Sequence, residues 1–152
     1  VMSTTSTDVV KFSVEVITLP VSDIDRALRF YVDQAGFALD VDYVPNDFFR
    51  VVQLTPPGSG CSIQIGKGLT DALPGSLRNI YLVVTDLQAA RRRLLECGVE
   101  VSAIRHKFPV DAWNGSFEAG LDPARRDYAS FADFSDADGN RWVLQERGYR
   151  NC

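Results

Sequence analysis

At 152 residues, with 45% apolar and 24% charged side chains, the chain has the size and balance of one soluble globular domain. Its 16 basic and 20 acidic residues give a formal charge of −4, which leaves no basic field to hold a phosphate backbone, so nucleic acid is not an expected partner. No apolar run approaches the roughly 18 residues that span a bilayer, and the widely spaced Cys61, Cys97 and Cys152 fit neither a disulfide framework nor a zinc knuckle, so a reduced, cytoplasmic protein with no membrane partner is expected.

Residues 1–11 read as a polar, disordered leader without the basic and apolar regions of a signal peptide. From Ser13 to Val21 the alternation predicts a strand, with Ile17, Leu19 and Val21 on one side and Val16, Thr18 and Pro20 on the other. Ser22-Asp23 supplies a helix start, and Asp25 stands where a capping box with Ser22 would place its acidic member. The helix runs from about Ile24 to Gln34, carries Ile24, Ala27, Leu28, Phe30 and Tyr31 at helical spacing, and stops at Gly36. Strand-like runs follow at Phe37–Tyr43, Phe48–Leu54 and Cys61–Ile65, separated by turns at Pro45–Asp47 and Pro56–Gly60.

Residues 67–77 read as a linker, after which the order returns. Asn79–Val84 is a strand, Thr85-Asp86 begins a helix to about Cys97, and Gly98 ends it. Arg91-Arg92-Arg93 within it reads as a solvated helix face. Strands at about Glu100–Arg105, Ala129–Phe134 and Arg141–Gln145 complete the set, the last two joined by the turn-forming Asp136–Asn140. Phe108–Tyr128 breaks the symmetry. It is far longer than its counterpart and carries Trp113, Phe117 and Tyr128, so lid, oligomer contact and surface flap are all open readings.

The return is also one of words. Ile17-Thr-Leu-Pro-Val-Ser-Asp-Ile24 reappears 63 residues later as Ile80-Tyr-Leu-Val-Val-Thr-Asp-Leu87, and Ala27/Ala90 and Arg29/Arg92 extend the match. Two copies of one β-α-β-β-β unit are implied, each too small to bury its own apolar face.

These words resemble the vicinal oxygen chelate superfamily of glyoxalase I, bleomycin-resistance proteins and extradiol dioxygenases. The residues that carry the likeness are Leu19-Pro-Val-Ser-Asp23 leading into Ala27-x-x-Phe30-Tyr31 and Gly36-Phe37, then Val84-Thr-Asp86-Leu87 and Asp136-Ala-Asp-Gly-Asn-Arg-Trp-Val-Leu144. The resemblance implies an α+β fold in one domain over residues 12–147, with modules at 12–66 and 78–147 and a tail at 148–152. Each module would curl its sheet into half a barrel, the halves facing each other around one cleft with helices outside. Val16, Thr18, Asn79 and Tyr81 would then face the cleft, and Ile17, Leu19, Ile80 and Leu82 would lie under helices.

The family's metal enzymes place His, Gln or Glu at four inward positions. The resemblance maps these onto Val16, Gln64, Asn79 and Val143. A catalytic divalent ion needs three or four imidazole, thiolate or carboxylate donors, whereas two valines have no lone pair and two neutral amides are weak donors. A one-residue slip brings in at most one carboxylate, Glu15, and the chain has a single histidine. No metal and no other cofactor is expected.

The inward set Val16, Thr18, Gln64, Asn79, Tyr81, Val143 and Gln145, joined by aromatics such as Phe49, Trp113 and Phe131, suits a flat or amphipathic small molecule. A metal-independent binder of an aromatic or amphipathic metabolite or drug is the leading reading. The alternative is an enzyme of the same superfamily, a lyase, isomerase or dioxygenase-like protein, with His106 or Tyr81 as proton carrier. A protein-interaction module with a closed cleft is a third. Asp23 and Asp86 read as helix starters, and Asp133, Asp136 and Asp138 as turn and strand-end chemistry. Small members of the superfamily often pair so that two chains complete each cleft, which makes a homodimer an expectation from the resemblance; a monomer with one cleft is the other arrangement.

Overall fold

The computed structural model describes residues 9–150, so most of the leader, the end of the tail and Cys152 lie outside the described residues. The first sheet is built from β1 (Val16–Thr18), β2 (Ala38–Asn46), β3 (Phe49–Thr55) and β4 (Ser62–Lys67) in the order β1-β4-β3-β2. The second holds β5 (Ile80–Val84), β6 (Arg105–Lys107), β7 (Phe117–Ala119), β8 (Ser130–Ser135) and β9 (Arg141–Glu146) in the order β5-β9-β8-β6-β7. In each sheet the first strand runs parallel to the last, β1 beside β4 and β5 beside β9, and the other pairs are antiparallel. The fold is α+β, one topology used twice, with β7 added to one edge. The strand expected at Glu100–Arg105 is shorter: Val101 makes one bridge to Phe134, and regular pairing resumes only at Arg105.

Each repeat carries one helix, α1 (Ile24–Arg29) continued by a π-helical turn over Phe30–Gln34, and α2 (Leu87–Glu96). Asp23 and Asp86 cap them, accepting the backbone N–H of Arg26 at 3.0 Å and of Ala89 at 3.1 Å, which satisfies donors that have no partner inside the helix. The capping box expected from Ser22 does not form. Ser22 lies one residue too early, and its hydroxyl donates to Asp138 Oδ1 instead.

The two apolar sets meet in one core rather than two. Leu19, Val52, Leu54, Ile63 and Ile65 from the first sheet and Ala132, Phe134, Trp142 and Leu144 from the second are buried in a single cluster with Ala27, Tyr31, Leu87 and Leu94 from the helices. Phe30 reaches Phe134, two strands inside the second sheet, at 6.3 Å between ring centroids, and Tyr31 meets Trp142 at 5.8 Å. The helix ends touch, Gln34 Nε2 donating to the Cys97 carbonyl. Those two residues are equivalent in the repeat, so the local two-fold axis passes between the helices. The helices therefore lie between the two sheets, and the halves pack back to back. The expected arrangement, halves facing each other with helices outside, does not occur within one chain.

The turn Asp136–Asn140 fastens this packing. Asn140 is fully buried, its Nδ2 donating to the Pro20 carbonyl at 2.8 Å and its Oδ1 accepting the Leu77 N–H at 3.1 Å. Asp136 is buried too, and its Oδ1 accepts the N–H groups of Asp138, Gly139 and Asn140. Turn chemistry is present as expected, but it is a buried clip between the sheets rather than solvated surface.

Candidate functional site

With one face of each sheet committed to the core, the other is free. Side chains alternate along a strand, so register decides which residues share that outer face. On the first sheet Thr18 pairs with Gln64, Gln64 with Gln53 and Gln53 with Val41, while Val51 pairs with Tyr43. Gln64 Nε2 donates to Thr18 Oγ1 at 2.8 Å, and the Thr55 hydroxyl bonds Ser62 and Asp40. This face is a band of amides and hydroxyls bordered by Val16, Tyr43 and Phe49.

The outer face of the second sheet is different. Tyr81 pairs with Val143, Val83 with Gln145, Phe131 with both Gln145 and Arg105, and Lys107 with Phe117. Arg105 makes two bonds to Asp133, at 2.9 and 3.2 Å, and its guanidinium lies 4.9 Å from the Phe117 ring and 5.6 Å from Phe131. Lys107 Nζ sits 4.7 Å over the Trp113 ring and 5.7 Å from Phe131. Trp113, Phe117 and Phe131 follow one another edge to face at 5.4 and 5.8 Å. The long insertion creates this corner: β7 extends the sheet beside β6 and carries Phe117, and the turn before it delivers Trp113, whose indole N–H donates to the Ser116 carbonyl.

The residues expected to line one cleft thus fall on two faces that look in opposite directions. Thr18, Phe49, Gln64 and Val16 are on the first; Tyr81, Val143, Gln145, Phe131 and Trp113 are on the second. One chain does not bring them together. Asn79 joins neither set as a buried amide. It is exposed, precedes β5, and has a left-handed backbone with φ of 60°, a conformation that Asn tolerates better than most residues.

His106 also departs from expectation. It is on the opposite side of β6 from Arg105 and Lys107, buried, with Nδ1 2.8 Å from the Gly120 carbonyl. It borders a cavity of about 400 Å³ under the insertion, with Phe108, Pro109, Glu118, Asp122 and Arg126. There Arg126 hydrogen-bonds the Asp122 carboxylate through its side chain and holds its pKa down to about 2. Alternation along β6 turns His106 away from the face that holds Tyr81 and toward this cavity.

The positions matching family metal ligands offer no fitting donor set. Val16 and Val143 have none, the Gln64 amide is bonded to Thr18, and the phenol of Tyr81 replaces Asn79 beside Val143. Among the described residues no three His, Cys, Asp or Glu side chains converge as a metal site would require. What the sequence reading missed is the cluster of Arg105, Lys107, Phe117 and Asp133. The signal was available in Arg105-His106-Lys107, whose alternation puts both cations on one face and the imidazole on the other.

Comparison with known proteins places this architecture. The family model of the Glyoxalase/Bleomycin resistance protein/Dioxygenase superfamily matches residues 13–144. Among solved structures, the chain is similar to TnmS3, an antibiotic binding protein from Streptomyces sp. CB03234, with 30% identity over 91% of this chain and 98% of that one and a TM-score of 0.68. A glyoxalase/bleomycin resistance protein from the same organism shares 31% identity over 88% and 100% of the two chains at a TM-score of 0.65. A superfamily member from Sphaerobacter thermophilus DSM 20745 shares 26% over 90% and 98% at 0.67. No curated protein matches the chain. No helix among the described residues is long and apolar enough to cross a membrane. Repeat, topology and matched residues agree: the chain belongs to the glyoxalase/bleomycin resistance protein/dioxygenase superfamily.

Proposed function

We propose that this protein binds a small aromatic or amphipathic molecule without a metal, in clefts that two copies of the chain build together. The observation that carries this reading is the split of the lining residues over two uncovered faces, one rich in amides and hydroxyls and the other in aromatics and cations. Tyr43 on the first face is 56% exposed, and Tyr81 and Val83 on the second are 55% and 50% exposed, so large apolar side chains on both faces stand uncovered. Setting the first face of one copy against the second face of another covers both sets and forms two equivalent clefts, as a closed two-fold dimer requires. The amides Gln64, Gln53 and Gln145 would orient the ligand, and the aromatic side chains would supply buried area.

The similarity to a protein described as antibiotic binding supports a small-molecule ligand. Valine at two of the four family ligand positions supports binding without a metal. Catalysis through His106 has no support from its position behind β6.

Light scattering of the purified protein together with thermal unfolding against a panel of aromatic metabolites and antibiotics, with and without chelator, tests the reading. The expected result is the mass of two chains and a ligand-induced rise in stability that chelator leaves unchanged. A ligand at about 100 times its Kd adds about 2.7 kcal/mol. A monomer that binds, or stabilisation that chelator abolishes, overturns it.

A further inference from the structure

The chain as a whole is acidic, with a formal charge of −4, yet the outer face of the second sheet is basic. Arg105, Lys107 and Arg141 stand there against a single carboxylate, Asp133. That carboxylate is already engaged: Arg105 takes both its oxygens, and Arg141 Nη2 approaches one of them at 3.9 Å. Lys107 is left without a carboxylate within salt-bridge distance among the described residues. Its ammonium is instead held over the faces of Trp113 and Phe131. Such a contact leaves the donors of the ammonium free, since a ring face accepts no conventional hydrogen bond.

The rings around it remain available. Trp113 and Phe117 are both 42% exposed, and their edge-to-face arrangement leaves open surface on which a flat ligand can stack. A cation beside an open aromatic wall, within a chain whose net charge repels anions, is the complement of one chemical class.

We infer that the ligand is an aromatic anion: a planar ring system carrying a carboxylate or an ionised phenol. The rings stack on Trp113 and Phe117, and the negative group is taken by Lys107. Arg105, neutralised by Asp133, holds Phe117 and Phe131 in place and does not compete for the charge. This rests on the binding reading above and adds to it the charge of the ligand. A cationic aromatic would be repelled by Lys107, and a neutral one could accept a hydrogen bond from it but would lack the attraction between opposite charges.

The test compares 2-naphthoate with its neutral isostere 2-naphthamide by calorimetry on the full chain. Wild-type protein is expected to bind the acid at least about tenfold more tightly than the amide, with a preference that weakens as salt rises. In Lys107→Gln the two affinities are expected to converge within about twofold, chiefly because the acid loses affinity, and Lys107→Arg is expected to keep the preference. Unchanged circular dichroism in both variants establishes that the fold is intact. Equal wild-type affinity for the two probes, or a preference that survives Lys107→Gln, overturns the inferred charge and leaves the binding reading standing. Failure of both probes to bind counts against aromatic binding itself, and the inferred charge falls with it.

Discussion

The Tyr31 hydroxyl donates to Asp136 Oδ2 at 2.7 Å, joining the helix of the first repeat to the closing turn of the second. The phenolic oxygen of Tyr31 accepts the Trp142 indole N–H at 2.9 Å, so a directed chain runs from Trp142 through Tyr31 to Asp136. Burial, reinforced by the negative charge of Asp136, raises the pKa of this phenol above the ordinary tyrosine range and keeps it neutral. This contact joins the two halves where they pack back to back.

Tyr31→Phe removes the hydroxyl, leaves the Trp142 N–H without its partner and leaves Asp136 Oδ2 only the Asn140 amide. A loss of about 1–3 kcal/mol in urea unfolding is expected, the cost of a buried polar group left unsatisfied. A pKa raised in the folded state contributes stability below the unfolded value near 10 and loses it as pH climbs beyond. Wild-type stability should therefore fall more steeply than that of the variant above about pH 10. Parallel pH curves would refute a neutral, buried phenol.

Glu146 is fully buried, accepts the Leu87 N–H at 2.9 Å and pairs with Arg125 through bonds of 2.6 and 2.7 Å. Arg125→Ala strands that carboxylate without a counter-charge, and breaking a buried pair in this way costs about 3–5 kcal/mol. Adding Glu146→Gln keeps an acceptor for Leu87 while removing the charge, so the double variant should be more stable than Arg125→Ala alone. A double-mutant cycle in denaturant measures the coupling, and additive effects would mean the pair is energetically silent.

Asp122 offers a test at acid pH. Its carboxylate accepts the backbone N–H of Arg126 and two guanidinium bonds at 2.8 Å, which is why its pKa lies near 2. The depressed value contributes stability that is complete above the unfolded pKa near 3.9 and disappears as pH falls through about 2. Asp122→Asn should flatten the stability profile between pH 4 and 2 and leave the slope above pH 5 unchanged. An unchanged acid limb would show that Arg126 does not hold this carboxylate.

Much of this architecture was legible in the residues. Most strands, both helices and the stops at Gly36 and Gly98 followed from periods of 2 and 3.6 residues and from the caps Asp23 and Asp86, whereas β7 and the shortened strand after α2 did not. Alternation also identified which strand faces are apolar, but not which apolar face meets which. That depended on Phe30 and Tyr31 finding Phe134 and Trp142, contacts more than 100 residues apart that no local pattern encodes. The same limit merged two outer faces into one cleft. Asn79 was misplaced for a local reason, because its left-handed backbone interrupts the alternation from which its direction was read.

The segment before β5, expected to be a simple linker, gives the last prediction. Gly75 has φ of 78°, donates its N–H to the Pro20 carbonyl at 3.0 Å, and is buried against the Asp138 carbonyl. A Cβ at this position would fall 1.8 Å from that oxygen, so Gly75→Ala must displace either the segment or the closing turn. Gly58 has nearly the same φ, 79°, but a Cβ there meets nothing within 4 Å. Gly58→Ala should therefore lose only the left-handed penalty of about 1–2 kcal/mol. Gly75→Ala should lose clearly more, since it also disturbs Pro20 and Asn140, which bind the same clip. Thermal unfolding of the two variants separates the contributions, because backbone conformation is common to both and steric overlap is not. Equal losses would mean that the segment yields freely and does not fasten the two sheets.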